Sequence, residues 1–225
     1  MCFDKDSSLL AWTLSYSIAT FLFHRNRGFD RWNAGFIICF ATIQLLEAGL
    51  WATQEQKSKG EHSQELNDLL TRVILLALVS QPLFQTYLGY KYTKSTILGI
   101  LSYVFMGIIL WTALRLWKSK RGEFSSAPGP NGHLVWTDSR SPGNFLGGSG
   151  AYSGPIIGAL YFTGLFLPLV YMGLRSPPGK WPRAVMLMLI GIVTAVYCLM
   201  YAAPKEFSSY WCFTAVIYSI AALFV

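Results

Sequence analysis

The residues best placed to do chemistry in this 225-residue chain sit where chemistry is least expected, in the apolar segment ATIQLLEAGLWAT at 41–53. Residues three and four apart share a helix face, so Gln44, Glu47 and Trp51 form one polar-aromatic stripe. A charge at mid-bilayer costs at least about 2.5–3.5 kcal/mol on insertion scales. A carboxylate retained there should face a bundle interior and have a partner. Burial disfavours the charged form, so Glu47 is a candidate site for a cation, a proton or a polar ligand, held ionised or neutral. Gln81 and Gln85 lie one turn apart in a second apolar run, with Pro82 between them. Pro82 cannot donate to the carbonyl near Leu78, which leaves an extra acceptor in a dry region. Arg72 lies about 13 Å from Gln81 by helical rise, and its long side chain is placed to reach toward Glu47. Gln44, Glu47, Gln81, Gln85 and Arg72 are therefore the candidate ion- or solute-binding residues, with Gln44 and Gln81 expected at matching depth. The competing reading is structural: interhelical hydrogen bonds, worth about 0.6–2 kcal/mol each, plus a static Glu47–Arg72 pair.

A second set lies toward the ends of the runs: Cys2, His133, Trp136 and Cys212. His24, His62 and His133 all fall in predicted loops, and His133 is expected at the surface. No HExxH, no Gly-x-Ser-x-Gly and no nucleophile–base pair at readable spacing is present, so no catalytic residue is assigned. The last apolar run has no lysine for a retinal Schiff base. No metal or cofactor follows from the sequence. Cys2 and Cys212 are expected near the N-terminal side of the membrane, as a disulfide if that side is outside, as a palmitoylated Cys2 if it is inside, or as unbonded thiols. Cys39 and Cys198 read as packing residues.

The elements that must position these residues are hydrophobic. The chain is 53% hydrophobic and only 13% charged, against about 25% charged in soluble domains. Its net charge of +7 collects at the edges of apolar runs, as topology-setting residues do. No basic stripe suits a nucleic acid. Seven runs approach the roughly 20 residues a membrane helix needs: about 8–23, 32–53, 69–90, 95–117, 154–174, 182–202 and 208–225. Trp32, Trp51, Trp117, Trp181 and Trp211 fall at run boundaries, where indoles are expected at the membrane interface. The first run lacks a basic n-region and a convincing cleavage site, and reads as a retained span. The predicted fold is an all-α integral membrane protein of about seven transmembrane helices. It is read as one domain over 1–225, with an extramembrane Gly/Pro/Ser-rich loop at 118–153 that carries a strand-like insert, HLVW at 133–136. Basic residues in the short loops favour the N-terminus outside and the C-terminus in the cytoplasm.

Several short pieces together carry a resemblance: Met1-Cys2-Phe3, Gln44-x-x-Glu47-x-x-x-Trp51, Gln81-Pro82, His133-Leu-Val-Trp136 and Trp211-Cys212. In this order they resemble a family of short polytopic membrane proteins, known from giant viruses and protists, that begin Met-Cys-Phe-Ser. Asp4 stands here in place of that serine. The resemblance implies a polytopic fold and singles out these positions, but implies no activity.

Three function classes follow. The first is a channel or transporter for a small ion or polar solute. The second is a structural or accessory subunit, in which the same groups lock helices. The third is a membrane enzyme acting on lipid or a thiol through Cys2, His133 or Cys212. The expected partners are the lipid bilayer and either further copies of the chain or a larger membrane complex.

Overall fold

The computed structural model describes residues 4–58, 64–138, 153–176, 181–201 and 206–224. It is overwhelmingly helical: α1 (Lys5–Arg25), α2 (Asp30–Ser58), α3 (Gln64–Thr93), α4 (Thr96–Lys118), α5 (Ser153–Arg175), α6 (Trp181–Tyr201) and α7 (Phe207–Ala222). By length and composition, α2 to α6 are each able to cross a membrane. The outer surface agrees with that reading: Tyr103, Trp111, Leu110 and Met200 stand exposed, while glutamines and a glutamate are fully buried.

Local sequence sets the helix ends. The Asp4 carboxylate accepts from the backbone N–H of Ser7 at 2.7 Å, capping α1, and this hydrogen bond holds its pKa below the usual carboxylate range. Asn26 closes the same helix in the left-handed conformation with φ 49°, and Gly28 follows at φ 53°, where an L side chain would be strained. Arg25 then ties the turn together. Its guanidinium donates twice to Asp30 at 2.7 Å and once to the carbonyl of Leu223 at the end of α7.

Helix α3 is the axis of the bundle and packs against α2, α4 and α5. Small residues let backbones approach where helices cross. A Cβ on Gly164 of α5 would stand 2.4 Å from the Phe105 ring and 2.7 Å from Pro82. Packing divides into two clusters. One joins α1, the first half of α2, α5, α6 and α7 around Trp32, Phe36, Leu165 and Trp211. The other joins the second half of α2, α3 and the region 124–136 around Leu50, Trp51, Ile74 and Leu78.

The stretch after α4 is an antiparallel hairpin, β1 (Phe124–Pro128) and β2 (Leu134–Asp138), with Ser126 opposite Trp136. The expected insert at 133–136 is thus half of a folded cap. Phe124, Leu134 and Trp136 point into the second cluster, so the hairpin covers the bundle at the end where α2 stops and α3 begins. Residues 139–152 lie outside the described residues.

The tryptophans correct one expectation. Trp117 and Trp181 are exposed, as interfacial anchors should be, but Trp32, Trp51 and Trp211 are buried inside the bundle. Each of those three has a ring or helix neighbour that outweighs the interfacial preference. Trp32 stacks on Tyr92 and meets Phe29 edge-on, and Trp211 packs on Phe40 and Phe207.

Candidate polar site within the bundle

Side-chain contacts fix the register of α2 against α3. Asn67 Nδ2 donates to Thr53 Oγ1 at 3.0 Å, Cys39 meets Ser80 at 3.9 Å, and Trp32 Nε1 donates to Gln85 Oε1 at 2.8 Å. The helices are antiparallel, so the Glu47 backbone lies level with Arg72 and Val73. That is about 13 Å by helical rise from Gln81. Gln44 and Gln81 are therefore about 8 Å apart in depth, not at matching depth. The polar groups form successive layers instead of one cluster.

The first layer is Gln44 and Glu47, both fully buried. Gln44 Nε2 donates to Glu47 Oε2 at 3.1 Å, an interaction that the i,i+3 spacing makes local to α2. Trp51, one turn further on, is also buried. Its Nε1 has no acceptor among the described residues.

The second layer joins α3 to α5. The Tyr161 hydroxyl donates to Gln81 Oε1, while Gln81 Nε2 has no acceptor among the described residues. Tyr161 packs against both hydrophobic clusters and so marks their boundary.

The third layer is the fullest. Gln85 accepts from Trp32 and donates to the carbonyl of Leu165 at 3.4 Å. The Tyr218 hydroxyl reaches Gln85 and donates to Asn33 Oδ1 at 3.2 Å. Four helices, α2, α3, α5 and α7, are pinned at this level.

Arg72 does not join these layers. Its guanidinium turns toward the hairpin end. It donates to Asp68 at 2.7 Å, to the carbonyls of Leu116 and Lys120 and to Ser119 Oγ, and it lies 4.9 Å over the Phe124 ring. The Glu47–Arg72 pair is replaced by an i,i+4 pair with Asp68, for two physical reasons. Arg72 lies only two turns into α3, so its charge reaches the interface more cheaply than the interior, and an acid one turn earlier is the nearest partner.

Around that arginine the hairpin is clamped to α3. Asp68 Oδ1 accepts from the backbone N–H groups of Gly122 and Phe124, both at 3.0 Å. Asn67 pairs in both directions with the backbone of Ser126, and Thr71 meets Ser126 Oγ at 2.7 Å.

The other edge of the hairpin rests on α7. Asn131 N donates to Glu206 Oε1 at 2.9 Å. His133 is 3% exposed and lies 4.5 Å, ring to ring, from Tyr210. It is a buried residue, not the surface histidine expected. Leu134 points into the second cluster, so its neighbour His133 takes the other face, where Tyr210 of α7 covers it. Burial holds its pKa below the usual range, opposed by the nearby Glu206 charge. Trp136 and Cys212 are both buried in the second cluster. Cys2 lies outside the described residues, and with it the proposed pairing to Cys212. Among the described residues no group of three or more His, Cys, Asp and Glu side chains converges to hold a metal.

Sequence reasoning passed over Tyr161, Asn33, Tyr218, Asp68 and Glu206. Asp68-x-x-x-Arg72 carried a readable signal in its i,i+4 spacing. The tyrosines carried none, because an aromatic at helical spacing reads equally as core. The chain matches no known family model, no curated protein and no solved structure.

Proposed function

We propose that the chain is a multi-pass protein of seven spans, N-terminus outside and C-terminus cytoplasmic, that moves a proton or a small cation across the membrane by way of Glu47. The observation that carries this reading is a titratable carboxylate at 0% exposure in the middle of a helix apolar enough to span. Intramembrane ionisable groups of this kind mark ion and proton pathways by default. The polar layers extend from it toward the opposite face through Gln81–Tyr161 and Gln85–Trp32–Tyr218. Two buried N–H donors, on Trp51 and Gln81, lack protein acceptors among the described residues, and buried donors ordinarily find a partner. The close packing favours an occluded state, opened only by helix or hairpin movement, over a standing pore.

The test is flux in liposomes, read with an internal pH dye under an imposed gradient. The native protein should dissipate the gradient. Glu47→Gln keeps the amide-compatible shape and removes the titratable group, so flux should cease while the fold survives. Native-level flux in Glu47→Gln would overturn the assignment.

A second reading is an accessory subunit of a larger complex, favoured by the exposed aromatics Tyr103 and Trp111 on α4. Purification as a monomer or small homo-oligomer with intrinsic flux supports transport. An inert protein that co-purifies with fixed partners supports the subunit reading.

A further inference from the structure

We propose that the groove between α3 and α4 at the hairpin end binds an anionic phospholipid, its phosphate on Arg121 and the adjoining lysines and its acyl chain between the two helices. The groove has a volume of about 960 Å³. Leu69, Val73 and Leu76 form one wall, and Ala113, Leu116 and Trp117 the other. From Glu65 to Leu76 it runs about 16 Å by helical rise, the length of a long stretch of acyl chain. The apolar part opens outward from helices able to span a membrane, and Trp117 stands 88% exposed at its rim. An indole in that position suits the headgroup level.

The polar end selects the charge of the occupant. Asp68 and Arg72 cancel one another. Among the described residues of 64–76 and 113–123 stand also Arg115, Lys118, Lys120 and Arg121 against Glu65 and Glu123, four positive charges against two negative. A basic residue near the membrane surface gains about 1 kcal/mol from anionic headgroups, and on the topology proposed above this corner draws such a lipid from the outer leaflet. The two arginines at this corner differ in availability. Arg72 is fully engaged by Asp68 and three acceptors from the α4 end. Among the described residues Arg121 pairs with Glu65, at 3.1 Å, with both side chains about four-fifths exposed. Exposed pairs of that sort are readily exchanged, so a phosphate diester can take the place of Glu65. A guanidinium offers it paired donors. A zwitterionic lipid would bring its own ammonium against the same excess of positive charge.

Native mass spectrometry of the full chain tests this. The protein is delipidated in detergent, then titrated with phosphatidylglycerol or with phosphatidylcholine of the same acyl composition. The native chain should retain one phosphatidylglycerol at concentrations at least tenfold below those needed for phosphatidylcholine. Lys118→Gln combined with Arg121→Gln should bring the two lipids level. Ala113→Trp fills the groove and should lower retention of both, and Leu76→Trp gives the same readout from the opposite wall. Equal retention of the two lipids by the native chain would overturn the proposal. So would an undiminished phosphatidylglycerol preference in the double variant, or undiminished retention in both tryptophan variants. Glu47→Gln protein should bind lipid as the native chain does, which separates this outcome from the transport assay.

Discussion

Asp68 sits near the start of α3, where the hairpin meets the bundle, and Glu47 sits about 13 Å by helical rise from Gln81, inside α2. Both are carboxylates, both are buried, and they lie on adjoining helices. Asp68 accepts from an arginine one turn on and from two backbone N–H groups at the start of the hairpin, and so ties α3 to the hairpin. Glu47 accepts from Gln44, a neighbour on its own helix. The first arrangement fixes a negative charge in place. The second sets a carboxyl beside an amide one turn away on α2, at 0% exposure. The difference teaches that burial alone does not assign a carboxylate its role: Asp68 is tied to an arginine and to the hairpin backbone, whereas Glu47 lies within a helix apolar enough to span a membrane.

The contrast can be broken most severely at Asp68. Asp68→Ala leaves Arg72 buried without its acid and strands the N–H groups of Gly122 and Phe124. Removing one partner of a buried pair costs about 3–5 kcal/mol. The hairpin should detach, seen as protease cleavage within 119–138 and a fall in melting temperature. If Asp68→Ala melts like the native chain, the clamp is decorative and the comparison fails.

Trp32→Phe comes next. It keeps the ring stack on Tyr92 but removes the Nε1 donor and leaves Gln85 Oε1 buried without it. Leaving a buried acceptor unmet costs about 1–3 kcal/mol. Chemical unfolding in mixed micelles should show a loss in that range, with the spectral envelope of the helices unchanged. A neutral result would mean that the third layer relaxes onto Tyr218 or Leu165 without penalty.

Glu47→Gln should cost least of the three substitutions, within about 1 kcal/mol, because an amide can still meet Gln44. Stability near native together with lost flux sharpens the contrast with Asp68. A loss as large as that of Asp68→Ala would place Glu47 among the structural carboxylates.

The sequence made some of this legible and hid the rest. Burial of Gln44, Glu47, Gln81 and Gln85 was readable, because hydrocarbon tolerates none of them facing outward. All-helical architecture was readable from run length. Depth was not. The α2–α3 register depends on which side chains meet, such as Thr53 with Asn67, and apolar runs of similar composition slide past one another without penalty on paper. Depth along the helix axis pairs Arg72 with Glu47, whereas the acid one turn earlier, Asp68, is nearer and holds it. Trp32 was read as an anchor because indoles favour interfaces on average, whereas its Nε1 has a specific acceptor in Gln85. The hairpin was half visible in HLVW. Its partner strand FSSAP is too polar to announce itself, and its pairing to Asn67 and Thr71 is long-range.

The smallest effect concerns the free edge of the hairpin, where the clamp of Asp68 has no reach. His133 is buried against Tyr210, and its pKa is held below the ordinary histidine value mainly by burial, with the Glu206 charge opposing. A folded-state pKa below the unfolded one means that the unfolded or undocked state binds more protons as pH falls. Stability therefore rises with pH through this window. Docking is complete above the unfolded value of about 6.5 and weakens progressively below it, until the lower folded value is passed. One ring titrates, and Glu206 offsets part of its cost, so the loosening should be confined to the hairpin tip. Hydrogen exchange reads it directly, because the Asn131 N–H donates to Glu206 and the Gly129 N–H to the carbonyl of His133. After correction for the intrinsic rate, both amides should lose protection as pH falls below about 6.5, while the Ser126 N–H, held by Asn67, should not. His133→Gln should flatten the dependence at the tip. Equal loss of protection at Ser126 would show the whole hairpin leaving together, and the division between a fixed edge on α3 and a yielding edge on α7 would be withdrawn.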